Sequence, residues 1–125
     1  MAKKRILLVD DEKSLTSLLK LNLEETGNYE VRVENWAEDA LPAAKQFKPD
    51  LVLLDIIMPR MPGGNVASLI DNDPELKGTP IVFLTAAVRK HQVEENEGII
   101  CDHPCLAKPA TVDEVIAMIE KHARK

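Results

Sequence analysis

The stretch "DLVLLDIIMP", residues 50 to 59, decides the fold. Leu51 to Leu54 form an unbroken apolar run, Asp55 ends it, and Ile56-Ile57-Met58-Pro59 follow. Four consecutive apolar residues bounded by polar ones suit a strand buried on both faces, which is the habit of parallel sheets covered by helices. A carboxylate at the end of such a run is costly to bury without a partner, so Asp55 needs a reason.

Two more runs of the same kind lie outward along the chain: "RILLV" (5–9) and "PIVFLT" (80–85). Between them the periodicity is helical. Leu15, Leu18, Leu19 and Leu23 predict one apolar face over 13–26, with Gly27 as the stop. "YEVRVE" (29–34) alternates, as a half-buried edge strand does. Asn35 followed by Glu38 predicts a capping box opening a helix to about residue 47, and Pro42 inside it predicts a lost backbone bond and a kink. A Pro- and Gly-rich loop then precedes a helix over about 65–72. A weakly polar helix is expected over about 89–97, a short strand over 105–107, and an amphipathic helix over 111–123 with Thr111 and Glu114 as its capping box.

The result is α/β: a doubly wound (βα)5 parallel sheet of flavodoxin-like type, strand order 2-1-3-4-5, over residues 1–125 as one domain. Such sheets bind ligands outside the carboxyl ends of the strands, where the order reverses. At those ends stand Asp10, Asp11 and Glu12, then Asp55, then Thr85, then Lys108. Taken singly, each has a structural explanation: a helix start, a turn, a solvated charge. Taken together, Asp10, Asp11 and Asp55 converge, and three carboxylates repel unless a cation compensates. Hard oxygen ligands suit Mg²⁺ or Mn²⁺, held by Asp10, Asp11, Asp55 and a backbone carbonyl after Asp55. With Lys108 and the Thr85 hydroxyl, this is equipment for a phosphoryl group, and Asp55 is its nucleophilic acceptor.

Composition is that of an ordinary globular chain: 45% apolar, 30% charged, net charge −5. The acidic balance argues against direct nucleic-acid contact. The first apolar run is too short for a signal core or a membrane span, so no membrane insertion and a cytoplasmic location are expected. Cys101, His103 and Cys105 in "CDHPC" offer metal-ligand types but match no common zinc spacing, and are expected to be plain thiols and an ordinary histidine.

Across its whole length the sequence resembles a response-regulator receiver domain of two-component signalling. The resemblance rests on Asp10-Asp11, Asp55, Met58-Pro59-x-Met61-x-Gly63, Thr85-Ala86 and Lys108-Pro109 in this order. It implies that the metal's backbone ligand is the Ile57 carbonyl. It implies a phosphohistidine donor on a sensor kinase or histidine phosphotransfer protein; His91, His103 and His122 show no sign of that role. It implies that phosphorylation draws Thr85 inward and remodels the face built by the fourth helix, fifth strand and fifth helix. Through that face it implies control of a downstream protein or output domain, or a phosphorylation-dependent homodimer. It implies a signalling phosphoacceptor rather than an enzyme.

Three positions depart from the family pattern. Cys105 stands where an aromatic switch residue is usual, Ala110 where Phe often follows Lys-Pro, and "NEGIICDHPCLAKP" lacks the common Gly-Ala. Ile57 and Ala87 occupy the family positions that flank the attacking water, and neither side chain can bond it, so slow self-dephosphorylation is expected. Two rivals are a receiver-like binding scaffold that is not phosphorylated, and a small Mg²⁺-dependent aspartyl phosphatase of haloacid-dehalogenase type. "VDDEKS" fits the second poorly, because that group carries Asp-x-Asp with the nucleophile first.

Overall fold

A computed structural model describes residues 3–85, 99–100 and 103–123; the side chains of Thr85, Ile99 and Ile100 are outside the description. The elements in order are β1 (Lys4–Val9), α1 (Lys13–Glu25), β2 (Tyr29–Glu34), a 3₁₀ turn (Ala37–Asp39), α2 (Ala40–Phe47), β3 (Leu51–Leu54), α3 (Gly63–Asn72), β4 (Ile81–Thr85), β5 (Ile99–Ile100), β6 (His103–Ala107) and α4 (Val112–His122). The expected helix over 89–97 lies outside the described residues, as do His91, Cys101 and Ala87.

The sheet order is β2-β1-β3-β4-β6-β5. The first five strands of that list pair in parallel, in the expected 2-1-3-4-5 order. The two-residue β5 is an addition, pairing antiparallel with β6 at the outer edge. Alternation along the apolar strands splits the core into two layers. Leu7, Val9, Val52, Leu54, Ile81, Phe83 and Cys105 pack toward α2 and α3. Ile6, Leu8, Leu51, Leu53, Val82 and Leu84 pack toward α1 and α4. A strand that feeds both layers must be apolar at every position, which is why β3 reads as LVLL and is buried throughout.

Several local expectations are corrected. Leu18 was expected on the buried face of α1 but is 58% exposed; Leu19 and Leu23 are buried there together with Thr16. Asn35 does not cap a helix. Its side-chain amide instead donates to the Asp10 carbonyl at 2.8 Å and to Thr16 Oγ1 at 3.0 Å. The chain then makes a 3₁₀ turn, and α2 begins only at Ala40. Pro42 therefore falls in the first turn of α2, where backbone N–H groups have no partner to lose within the helix. Helix α3 begins at Gly63, two residues earlier than expected. At α4 the capping box forms as read: Glu114 N–H donates to Thr111 Oγ1 at 3.1 Å, and Thr111 N–H donates to Glu114 Oε1 at 3.0 Å. No described helix is long and apolar enough to cross a membrane.

Candidate phosphoryl-acceptor site

Strand register builds the site. Val9 pairs with Leu54, and Asp10 and Asp55 are the next residues of their chains. The ladder carries on through them: Asp55 N–H donates to the Val9 carbonyl at 3.0 Å, and Asp10 N–H to the Glu34 carbonyl at 3.2 Å. Asp10 continues the alternation of Leu8, and Asp55 that of Leu53, so both carboxylates leave the sheet on one side. Asp10 is fully buried, Asp55 is 5% exposed, and Asp11 is open to solvent. One carboxylate oxygen from each of the three lies within 4.8 Å of the others. Thr85 and Ala107 are paired at the ends of β4 and β6, which brings Lys108 to the same rim.

The Lys108 Nζ is 2.7 Å from Asp10 Oδ2, 3.2 Å from Glu12 Oε1 and 3.7 Å from Asp55 Oδ2. Burial pushes Asp55 up to about 6; the Asp10 charge adds to this, while Lys108 and the Ile57 N–H oppose it. Burial also raises Asp10, against its bonds from Lys108 and the Glu12 N–H. For Lys108, burial works against the charge, but Asp10, Asp55 and Glu12 outweigh it and lift its pKa. One ammonium thus faces three carboxylates, Asp10, Glu12 and Asp55, and Asp10 and Asp55 are held partly against ionisation. Clustered hard oxygens with excess negative charge have the donor chemistry of a Mg²⁺ or Mn²⁺ site.

Sequence reasoning left three contributors unassigned. Glu12 partners Lys108, and its N–H donates to Asp10 Oδ1 at 3.0 Å. Asn35 holds the Asp10 carbonyl; its similarity to a capping residue concealed this. Gly63 lies against the backbone that carries Asp55: a Cβ there would run into the Asp55 carbonyl oxygen and sit 2.8 Å from Ile56 Cα. Its place after the Pro-rich loop was visible in the sequence, but its neighbour was not.

Ile57 is 65% exposed at the rim. Cys105 is a buried free thiol paired in register with Phe83, and burial pushes its pKa up. A thiol so placed is a small apolar filler rather than a nucleophile. His103 Nε2 is 2.7 Å from Asp71 Oδ2, and its ring meets the Phe83 ring edge-on at 5.9 Å. Ala110 borders a groove of about 340 Å³ between α1 and α4, which Lys108 and Glu12 also line.

Residues 6–120 match the family described as the response regulator receiver domain. The chain belongs to that family. It is similar to the transcriptional regulatory protein YvrH of Bacillus subtilis (strain 168), at 34% identity over 121 residues, 96% of this chain and 49% of that protein. The alkaline phosphatase synthesis transcriptional regulatory protein PhoP of the same organism is 41% identical over 83 residues, 66% of this chain and 33% of that protein. This receiver domain thus spans half or less of those two relatives. The polar-differentiation response regulator DivK of Brucella anthropi is 29% identical over 119 residues, 95% of each chain. Among solved structures, chemotaxis protein CheY4 of Vibrio cholerae superposes with a TM-score of 0.82 at 25% identity, over 96% of this receiver domain and 98% of that chain. Receiver domains of this family are the signal-receiving part of two-component response regulators.

Proposed function

We propose that Asp55 is the phosphoacceptor, taking a phosphoryl group from a phosphohistidine on a sensor kinase or phosphotransfer protein. The observation that carries this reading is the packing of three carboxylates within 4.8 Å beside a partly buried lysine. An Asp55 carboxylate oxygen attacks phosphorus, the P–N bond breaks, and its electron pair stays with the leaving imidazole. An acyl phosphate remains on Asp55. Asp10, Asp11, Asp55 and the Ile57 carbonyl would hold Mg²⁺ or Mn²⁺, which when bound supplies positive charge to phosphoryl oxygens and favours the ionised Asp55. Lys108 neutralises a phosphoryl oxygen, and Thr85 donates its hydroxyl to another.

Movement of Thr85 then shifts the population of two states of the face next to β6 and α4, which controls a partner, an output domain or a homodimer. Ile57 and Ala87 offer no hydrogen bond to an attacking water, which makes the acyl phosphate long-lived. The domain acts as a signalling phosphoacceptor in the cytoplasm rather than as a turnover enzyme.

The test is intact mass after incubation with Mg²⁺ and acetyl phosphate. One added phosphoryl group in the wild type, absent in Asp55→Asn, supports the reading. Cys105 at the aromatic switch position favours one alternative, a scaffold that binds partners without phosphorylation. No adduct from acetyl phosphate or from a phosphorylated histidine protein, with Mg²⁺ bound, would favour the scaffold.

A further inference from the structure

The loop after Asp55 contains a conformation that needs an explanation. Met61 N–H donates to the Pro59 carbonyl at 2.9 Å, closing a three-residue turn around Arg60, whose φ is 72°. An i to i+2 bond with positive φ at the centre is the rare, strained form of γ-turn. Glycine would take this φ without strain, and a side chain there persists only when its surroundings hold it. The Arg60 guanidinium has two such anchors. It stacks over the Trp36 ring at 5.0 Å from the centroid, and its Nη1 donates to Glu38 Oε2 at 3.2 Å. The ion pair alone would contribute little, because both partners are exposed. Joined to the stacking on one rigid fork, it fixes the loop in two directions.

Both anchors lead to the acidic site. Trp36 and Glu38 follow directly on Asn35, which bonds the Asp10 carbonyl at 2.8 Å. On the other side, Arg60 is three residues past Ile57, whose N–H bonds the Asp55 carboxylate. We infer that Arg60 is a positioning residue of the carboxylate site. By clamping the loop from Asp55 onto the segment that holds Asp10, it sets the Ile57 backbone at the spacing a divalent cation requires. The inference rests on the reading of this site as a Mg²⁺ site.

Calorimetric titration of Mg²⁺ into wild type, Arg60→Ala, Arg60→Gly, Arg60→Lys, Trp36→Ala and the double variant Trp36→Ala/Arg60→Gly, with melting temperatures in EDTA alongside, tests it. Arg60→Gly is the informative variant, because it relieves the turn while removing the clamp. Mg²⁺ affinity is expected to fall about tenfold in Arg60→Ala and Arg60→Gly, the low end for groups that orient metal ligands. Arg60→Lys recovers part of the loss, Trp36→Ala adds little to Arg60→Gly, and the EDTA melting temperature of Arg60→Gly does not drop. Wild-type affinity in Arg60→Gly, or a loss fully additive with Trp36→Ala, overturns the clamp alone. A wild type that binds no Mg²⁺ overturns the cation reading itself, and the clamp with it.

Discussion

The Lys108 ammonium donates to Asp10 Oδ2 at 2.7 Å, across a sequence separation of 98 residues. Its distance to Asp55 is longer, 3.7 Å. Asp10 therefore holds the lysine beside the Asp55 carboxylate, and Asp55 feels it mainly as a nearby charge.

Removing that charge has a definite sign. Lys108 lowers the Asp55 pKa, which burial holds at about 6. In Lys108→Met, without divalent cations, Asp55 should titrate higher by about one unit or more. Carboxyl ¹³C chemical shifts followed against pH check this. An unmoved midpoint would mean that Asp55 does not sense the ammonium.

Asp55 also links stability to pH. Its folded pKa is raised from 3.8 to about 6, so ionising it disfavours the folded state. The penalty is absent below about pH 4, grows between pH 4 and 6, and is complete above 6. Asp55→Asn should thus be more stable than the wild type at pH 7 in EDTA, by about 1–3 kcal/mol. Urea unfolding at several pH values should show the gap closing as pH falls from 6 to 4. A gap independent of pH would show that Asp55 is not the perturbed group.

Gly63 and Gly64 make a matched pair. A Cβ on Gly63 meets backbone of Asp55 and Ile56, which cannot rotate aside, whereas one on Gly64 meets nothing within 4 Å. Gly63→Ala should cost about 2–4 kcal/mol and impair phosphoryl acceptance at Asp55. Gly64→Ala should be neutral or stabilising by up to about 1 kcal/mol. Parallel urea melts of the two variants decide it, and equal effects would refute the close approach.

Ile57 is 65% exposed, so replacing it leaves the core untouched. Ile57→Asn should change stability by no more than about 0.5 kcal/mol while shortening the acyl-phosphate lifetime. The decay of the phosphorylated mass peak measures this directly. An unchanged decay would leave Ile57 with no kinetic role.

Two identical local signals show where sequence reading works and where it stops. Thr111 with Glu114 and Asn35 with Glu38 both spell a capping box. The first forms, with both of its reciprocal bonds made at the start of α4. The second does not, because the Asn35 amide finds the Asp10 carbonyl and Thr16 across the sheet. Leu18 is a similar case: helical spacing places it near Leu15 and Leu19, but only the packed neighbours define which edge of the stripe is covered.

The sequence by itself determined the alternation of strands and helices, the sheet order, and the gathering of Asp10, Asp11, Asp55 and Lys108 at one rim. Apolar runs and their polar ends are local, and parallel connections leave few topologies to choose from. Only the tertiary structure decided that Lys108 bonds Asp10 and Glu12, that Gly63 lies against Asp55, and that Arg60 spans to Trp36 and Glu38. The lysine and arginine relations join residues far apart in the chain, and the glycine one folds a loop back on the strand end before it. Their partners are chosen by strand register and loop packing, which no local pattern encodes.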